Sequence, residues 1–310
     1  MYYRSFHAAM HERFGCKVYK LSLDGGFTCP NRDGTVGSRG CIFCSRAGSG
    51  EFAAAAQADI AAQLDAAKAR VAHKNPGGKY IAYFQSFTNT YAAPERLHSL
   101  FSAAIAPEDV VALDVATRPD CLGPEILEVL RGLREKKPLF VELGLQTIHP
   151  ETAKYIRRGY ALPVFDEAVK NLHAIGAEVV VHQILGLPGE TPEMMTETAR
   201  YIGKSGADGI KLHLLHVLDD ADLYDEYLAG RVPVLEMEEY FSILAACLRV
   251  LPPEMVIHRL TGDGAKRHLA APLWSADKKR VLNEMARYLR EHDVTQGAQY
   301  QGAPNGVAEF

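Results

Sequence analysis

Hydrophobic and polar positions change period repeatedly along the chain. Residues 17–23 (KVYKLSL) alternate with a period of two and predict a strand. Residues 51–73 are Ala-rich, with Ile60, Leu64 and Val71 near helical spacing, and predict a helix that the run KNPGG at 74–78 ends. Apolar strand-like runs recur at 79–86, 110–116, 139–145, 178–186 and 209–217. Helical segments are predicted between them, near 94–104, 123–135, 150–157, 163–175 and 191–204. Strands that alternate with helices in this way indicate a parallel sheet with right-handed crossovers. Six such units fit either an open doubly wound sheet or a partly closed barrel. Both place ligands at the C-terminal ends of the strands.

After residue 218 the rhythm changes. Residues 219–229 and 236–250 read as helices, 255–260 as a short strand and 277–292 as a long helix. The expected organisation is an N-terminal segment (1–16), the strand–helix unit (17–218), a helical extension packed on it (219–294) and a poorly ordered tail (295–310, TQGAQYQGAPNGVAEF).

Composition narrows the class. The 310 residues are 47% hydrophobic and 23% charged, which suits a folded chain with a large core and no need of disulfide staples. A net charge of -4 argues against a protein that coats nucleic acid through bulk positive charge. No apolar run approaches the ~20 residues of a membrane span, and the N-terminus lacks a signal-peptide core. A cytoplasmic protein that engages neither membrane nor DNA is expected.

Three of the six cysteines, Cys29, Cys41 and Cys44, share one Gly-rich loop, CPNRDGTVGSRGCIFC, directly after the first strand. Thiolates are soft ligands that select zinc, copper(I) or iron–sulfur. A structural zinc knuckle would need a fourth ligand, which the loop does not supply. Three unrelated buried cysteines fit poorly with a CxxC pair set among Gly and polar residues. A [4Fe–4S] cluster on three cysteines leaves one iron open, and an open metal site is where chemistry occurs.

The pattern C-x(n)-C-x(2)-C after the first strand resembles the radical S-adenosylmethionine (SAM) superfamily. Its commonest first gap is three residues; here it is eleven. The wider loop, with DGGFTCPNRDGT and GCIFC, is similar to the YhcC/YtqA-type (MnmL-like) family, related to the radical SAM domain of the Elongator catalytic subunit. Further matching phrases are ATRPDCL, ELGLQT, IRRGY, HQILGLPGET, KLHLLHV and HRLTGDG. The resemblance implies a partial (β/α)6 barrel with a helical C-terminal extension, and a [4Fe–4S] cluster held by Cys29, Cys41 and Cys44. SAM would chelate the fourth iron and be cleaved reductively to a 5′-deoxyadenosyl radical.

The same resemblance assigns candidate SAM contacts. Gln85, Ser86 and Asn89 stand where a GGE-like element would be, although that element is absent. Arg118 lies at the third strand's end, and Glu142 and Gln146 flank the fourth. Arg158, before Gly159, would meet the SAM carboxylate, and Gly186 and Leu187 would approach the adenine. Among the strand histidines His182, His213 and His216, His213 is a substrate candidate. The branch suggests wobble-uridine chemistry on tRNA, with Lys278, Lys279 and Arg280 in a mildly basic C-terminal stretch meeting phosphates. A flavodoxin- or ferredoxin-like reductant is implied. The alternatives are a porphyrin-like small molecule or a protein as substrate, or a zinc-binding structural or interaction module.

Overall fold

The computed structural model describes residues 2–48, 59–75, 77–262 and 266–302. Its centre is a curled sheet of parallel strands: β1 (Val18–Leu23), β2 (Lys79–Phe84), β3 (Val110–Thr117), β4 (Leu139–Gln146), β5 (Glu178–Leu185), β6 (Gly209–Leu214) and, beyond a short β7 (Val217–Leu218), β8 (Val256–Arg259). The spatial order is β1-β2-β3-β4-β5-β6-β8. Six strands follow the predicted rhythm. The seventh, expected to belong to the extension, instead pairs in parallel with β6 and completes the half-barrel. β7 pairs antiparallel with β9 (Leu269–Ala271) outside the main sheet.

Helix α1 (Phe6–Phe14) precedes the sheet. The crossovers are α2 (Ile60–Val71), α3 (Pro94–Ile105), α4 (Pro124–Arg134), α5 (Pro150–Tyr155), α6 (Leu162–Ala174) and α7 (Pro192–Lys204). The part of the predicted 51–73 helix before Asp59 lies outside the described residues. Four of these helices open on proline, whose fixed φ suits a first turn where no amide partner is needed. The helices cover one face of the sheet, and alternate strand residues such as Leu113, Val115, Val141 and Leu143 pack beneath them.

The other face lines the lumen. Its lowest layer is apolar: Val18, Ile81, Ala112, Phe140 and Val180 pack against Ala9 and Met10 of α1, which plugs the N-terminal end of the barrel. One step up each strand stand Lys20, Tyr83, Asp114, Glu142, His182 and Lys211. A third step reaches Ser22, Gln85, Ala116, Gly144, Ile184 and His213, at the open end.

The extension comprises α8 (Leu223–Leu228), α9 (Met237–Val250) and α10 (Lys278–Glu291). Helix α10 turns Val281, Met285 and Leu289, four apart, inward and leaves Lys278, Lys279 and Arg280 exposed at its first turn. The expectation of a poorly ordered tail from 295 is corrected for 295–302. Gln296 donates its side-chain amide to the carbonyls of Pro252 and Met255, at 2.6 and 2.8 Å, and its backbone N–H to Tyr2. Gln299 donates to the Arg249 carbonyl at 2.7 Å. These buried amide bonds replace the apolar anchor that the sequence lacks there.

Candidate active site

Above the second lumen layer the barrel opens into a cavity of about 480 Å³, walled on one side by Cys29, Cys41 and Cys44. The cysteine loop is fastened from both ends. Asn31 donates its side-chain amide to the Arg157 carbonyl at 2.7 Å and to Cys41 Sγ at 3.5 Å. Arg32 reaches the carbonyls of Cys44 and Ser45, at 3.2 and 2.5 Å. Gly159 is needed opposite: its φ is +84°, and a Cβ there would meet Asn31 Oδ1 and Val36 Cγ1 at 2.7 Å.

All three cysteines are free thiols. Burial, reinforced by the neighbouring Cys44, pushes the Cys41 thiol up to about 12, so a thiolate at Cys41 calls for a cationic partner. A tetrahedral zinc with bonds of ~2.3 Å would draw its sulfurs to roughly 3.8 Å apart. Among the described residues the only three metal-ligating side chains gathered within 4.8 Å of one another are Asp219, Asp220 and His268; the cysteine sulfurs are spread more widely. Three soft donors around one open cavity, too dispersed for a single ion, fit a multi-iron cluster.

The expected SAM contacts divide. Gln85, Arg118, Glu142, Gln146 and Arg158 line the cavity, as does the substrate candidate His213; Ser86, Asn89, Gly186 and Leu187 do not. Asn89 is fully buried and donates its amide to the carbonyls of Phe84 and Ala116, tying β2 to β3. Ser86 is equally buried. Gly186 packs against Leu235, and Leu187 belongs to the apolar cluster under the cysteine loop.

The two arginines expected to contact SAM are largely committed. Arg118 forms a bidentate pair with Asp120, at 2.9 and 2.7 Å, and donates to the Arg158 carbonyl at 2.8 Å. Arg158 donates to the carbonyls of Leu145, Thr147 and Tyr160. Its guanidinium therefore braces the loop after β4 rather than standing free for a carboxylate. Gln146 is different. Its backbone is left-handed, with φ +67°, and its buried Oε1 has no hydrogen-bond partner. Strain and an orphaned acceptor together mark a side chain held for a ligand.

Glu142 is wholly buried and is the hub of a charge network that sequence reasoning missed. Its Oε1 accepts from Lys20 at 2.8 Å; its Oε2 accepts from Tyr83 at 2.8 Å, from His182 at 2.7 Å and from Lys211. These partners occupy both carboxylate oxygens. Burial alone would raise its pKa, but Lys20, Lys211 and His182 hold it well below the carboxylate range. Burial and the adjacent Glu142 push Asp114 up to about 7, and burial pulls Lys211 down to about 7. Burial likewise lowers His182 and His213, which are neutral. The signal was present in the sequence: Lys20, Asp114 and Lys211 are single charges inside otherwise apolar strands.

A parallel half-barrel with a ligand-sized cavity at its C-terminal end, and three cysteines on the loop after β1, defines a class. Residues 33–202 match the radical SAM superfamily and residues 207–291 the radical SAM C-terminal domain. The chain therefore belongs to the radical SAM superfamily, whose cofactors are a [4Fe–4S] cluster and SAM, in the branch of the YtqA and YhcC proteins. It is 43% identical to YtqA of Bacillus subtilis over 299 residues, covering 96% of this chain and 93% of that protein. It is 36% identical to YhcC of Escherichia coli K12 over 294 residues, covering 93% of each. A tRNA uridine(34) acetyltransferase of Methanocaldococcus jannaschii is 26% identical over 188 residues, 59% of this chain and 34% of that protein. The solved Elp3 of Methanocaldococcus infernus, lacking residues 1–46, shares the fold, with a TM-score of 0.69 at 18% identity, over 90% of this chain and 64% of that one. Among the described residues no helix is long and apolar enough to cross a membrane.

Proposed function

We propose that Cys29, Cys41 and Cys44 hold the [4Fe–4S] cluster and that the enzyme opens SAM to begin radical chemistry on a tRNA wobble uridine. The observation that carries this reading is the trio of cysteines facing a cavity at the strand ends. When bound, the cluster supplies the electron that splits SAM into methionine and a 5′-deoxyadenosyl radical, drawn from a flavodoxin- or ferredoxin-like donor. The protein's own residues bind and orient. Asn31 and Arg32 fix the cysteine loop, Arg158 braces the β4 loop, and Gln146 Oε1 accepts a hydrogen bond from SAM. The buried wall around Tyr83 and Ile184 keeps water from the radical.

The tRNA reading is supported by similarity to the uridine(34) acetyltransferase and by Lys278, Lys279 and Arg280, exposed on α10 outside the cavity lining. Cations at a helix N-terminus oppose the macrodipole, so helix stability does not account for them. His213 lines the cavity, where an extruded base would enter. A cytoplasmic location suits both the tRNA and the reductant.

The test is anaerobic SAM cleavage by reconstituted protein. Wild type is expected to form 5′-deoxyadenosine, and the triple Cys→Ala variant none. Wobble-nucleoside analysis of a deletion strain, rescued by wild type and by Cys41→Ala, then decides the substrate. An unchanged nucleoside profile in the deletion strain removes tRNA.

A further inference from the structure

In the second lumen layer Lys20 and Lys211 face two carboxylates, Asp114 and Glu142, and Arg259 reaches the cavity beside them. Lys20 pairs with both carboxylates and Lys211 with Glu142. Arg259 lines the cavity and has no hydrogen bond or ion pair among the described residues. Lys211, itself paired with Glu142, stands beside it. A guanidinium presents a fork of donors, and that of the half-buried Arg259 is left open to the cavity.

Its placement requires a local departure from regular strand geometry. Successive strand residues point to opposite faces, yet His258 and Arg259 both face the lumen. His258 approaches Lys20 Nζ at 3.4 Å and packs on Phe6 and Phe140. Arg259 joins Lys211 at the cavity. The β6–β8 register shifts between Ile210 and Lys211, so that Lys211 pairs with Arg259 rather than His258. Such a bulge re-aims a side chain, and bulges concentrate beside functional sites. Next to Arg259, His213 carries a buried Nε2 with no hydrogen-bond partner.

We infer that Arg259, with His213, forms a subsite for an oxyanion of the substrate, a carboxylate or a phosphate. This rests on the reading that SAM lies beside the cysteines. The groups acting on Cys41 there are Cys44, Arg118, Asn31 and Cys29, whereas Arg259 acts on Lys211, His182 and His213. The two cationic groups serve different ligands. A planar guanidinium receives either oxyanion in bidentate fashion, and His213 adds an N–H donor at its edge in the tautomer that carries the proton on Nε2.

The experiment uses reconstituted full-length protein without oxygen. Thermal midpoints are read in sodium phosphate, sodium acetate and sodium chloride at equal ionic strength, with and without saturating SAM. Wild type is expected to gain about 3 °C at ~100 mM of the preferred oxyanion over chloride, with SAM present or absent. The preferred salt tells phosphate from carboxylate. Arg259→Met is expected to lose that gain and to melt in chloride no lower than wild type, because it sheds an unpaired charge. Arg259→Lys is expected to keep part of it. No oxyanion gain in wild type, an undiminished gain in Arg259→Met, or a gain that SAM abolishes would each overturn the subsite. Absence of 5′-deoxyadenosine in wild type would instead overturn the radical reading and leave the melting result standing.

Discussion

Replacing Glu142 with Gln keeps the volume of the lumen hub and removes its charge. Lys211 is 3% exposed and Glu142 is its only carboxylate partner among the described residues, so the variant leaves a buried ammonium without that counterion. Lys20 keeps Asp114. Breaking one side of a buried pair costs about 3–5 kcal/mol, because the surviving charge has lost its solvation and its partner together. At roughly 2 °C per kcal/mol for a long chain, the thermal midpoint falls by about 6–10 °C. Glu128→Gln serves as the control. Its pair with Arg131 is exposed on α4, and loss of such a pair changes stability by less than ~1 kcal/mol. The diagnostic variant is the double one. Glu142→Gln with Lys211→Met removes both charges and should recover about 1–3 kcal/mol of the loss. The assay is differential scanning calorimetry of anaerobic protein at one pH. A Glu142→Gln cost no larger than that of the control, or a double variant no more stable than the single, would show that the network is not a closed set of paired charges.

The remaining expectations concern pH, packing and partners. Lys211 is pulled down to about 7 in the folded protein from an ordinary 10.5. Between these values the unfolded chain holds a proton that the folded one has released, so stability should rise with pH through that window. Melting scans from pH 7 to 10 should show a smaller rise in Lys211→Met, and equal slopes would remove the assignment. Gly159→Ala drives a methyl into Asn31 and Val36 and imposes a left-handed backbone on alanine; iron content after reconstitution should drop sharply, and normal iron loading would exclude that seat for the cysteine loop. Phe101, fully buried against Phe84 with ring centroids 4.9 Å apart, should cost about 3–5 kcal/mol as Phe101→Ala, measured by urea denaturation. Charge reversal at Lys278, Lys279 and Arg280 should weaken tRNA binding and flatten its salt dependence; an unchanged slope in a salt titration places the RNA elsewhere.

The strands and crossovers were legible because their periods are local properties of the chain. Six strands and the prolines that open the crossover helices follow directly from such patterns. The cysteine loop was legible from its spacing and glycines. What stayed hidden depends on long-range neighbours. β8 is short, and more than thirty residues separate it from β6, so its pairing carries no local signature. Arg158 reads as a free guanidinium until the carbonyls of Leu145 and Thr147 are seen to converge on it. Glu142 reads as a ligand until Lys20 from β1 and Lys211 from β6, strands far apart in the sheet, meet at its oxygens. The GLPGE turn resembles an adenine contact, yet Gly186 faces Leu235 because the chain after β5 bends toward the extension.

Helix α1 fills the lower mouth of the barrel with Ala9 and Met10, so among the described residues the cavity opens toward the upper rim. One doorway imposes an order of traffic. On the proposed reading SAM, beside the cysteines, must be seated before a bulky substrate covers the rim. Methionine and 5′-deoxyadenosine can depart only after that substrate lifts away. Turnover is then paced by the dwell time of the largest visitor, and excess substrate should slow the enzyme by shutting SAM out.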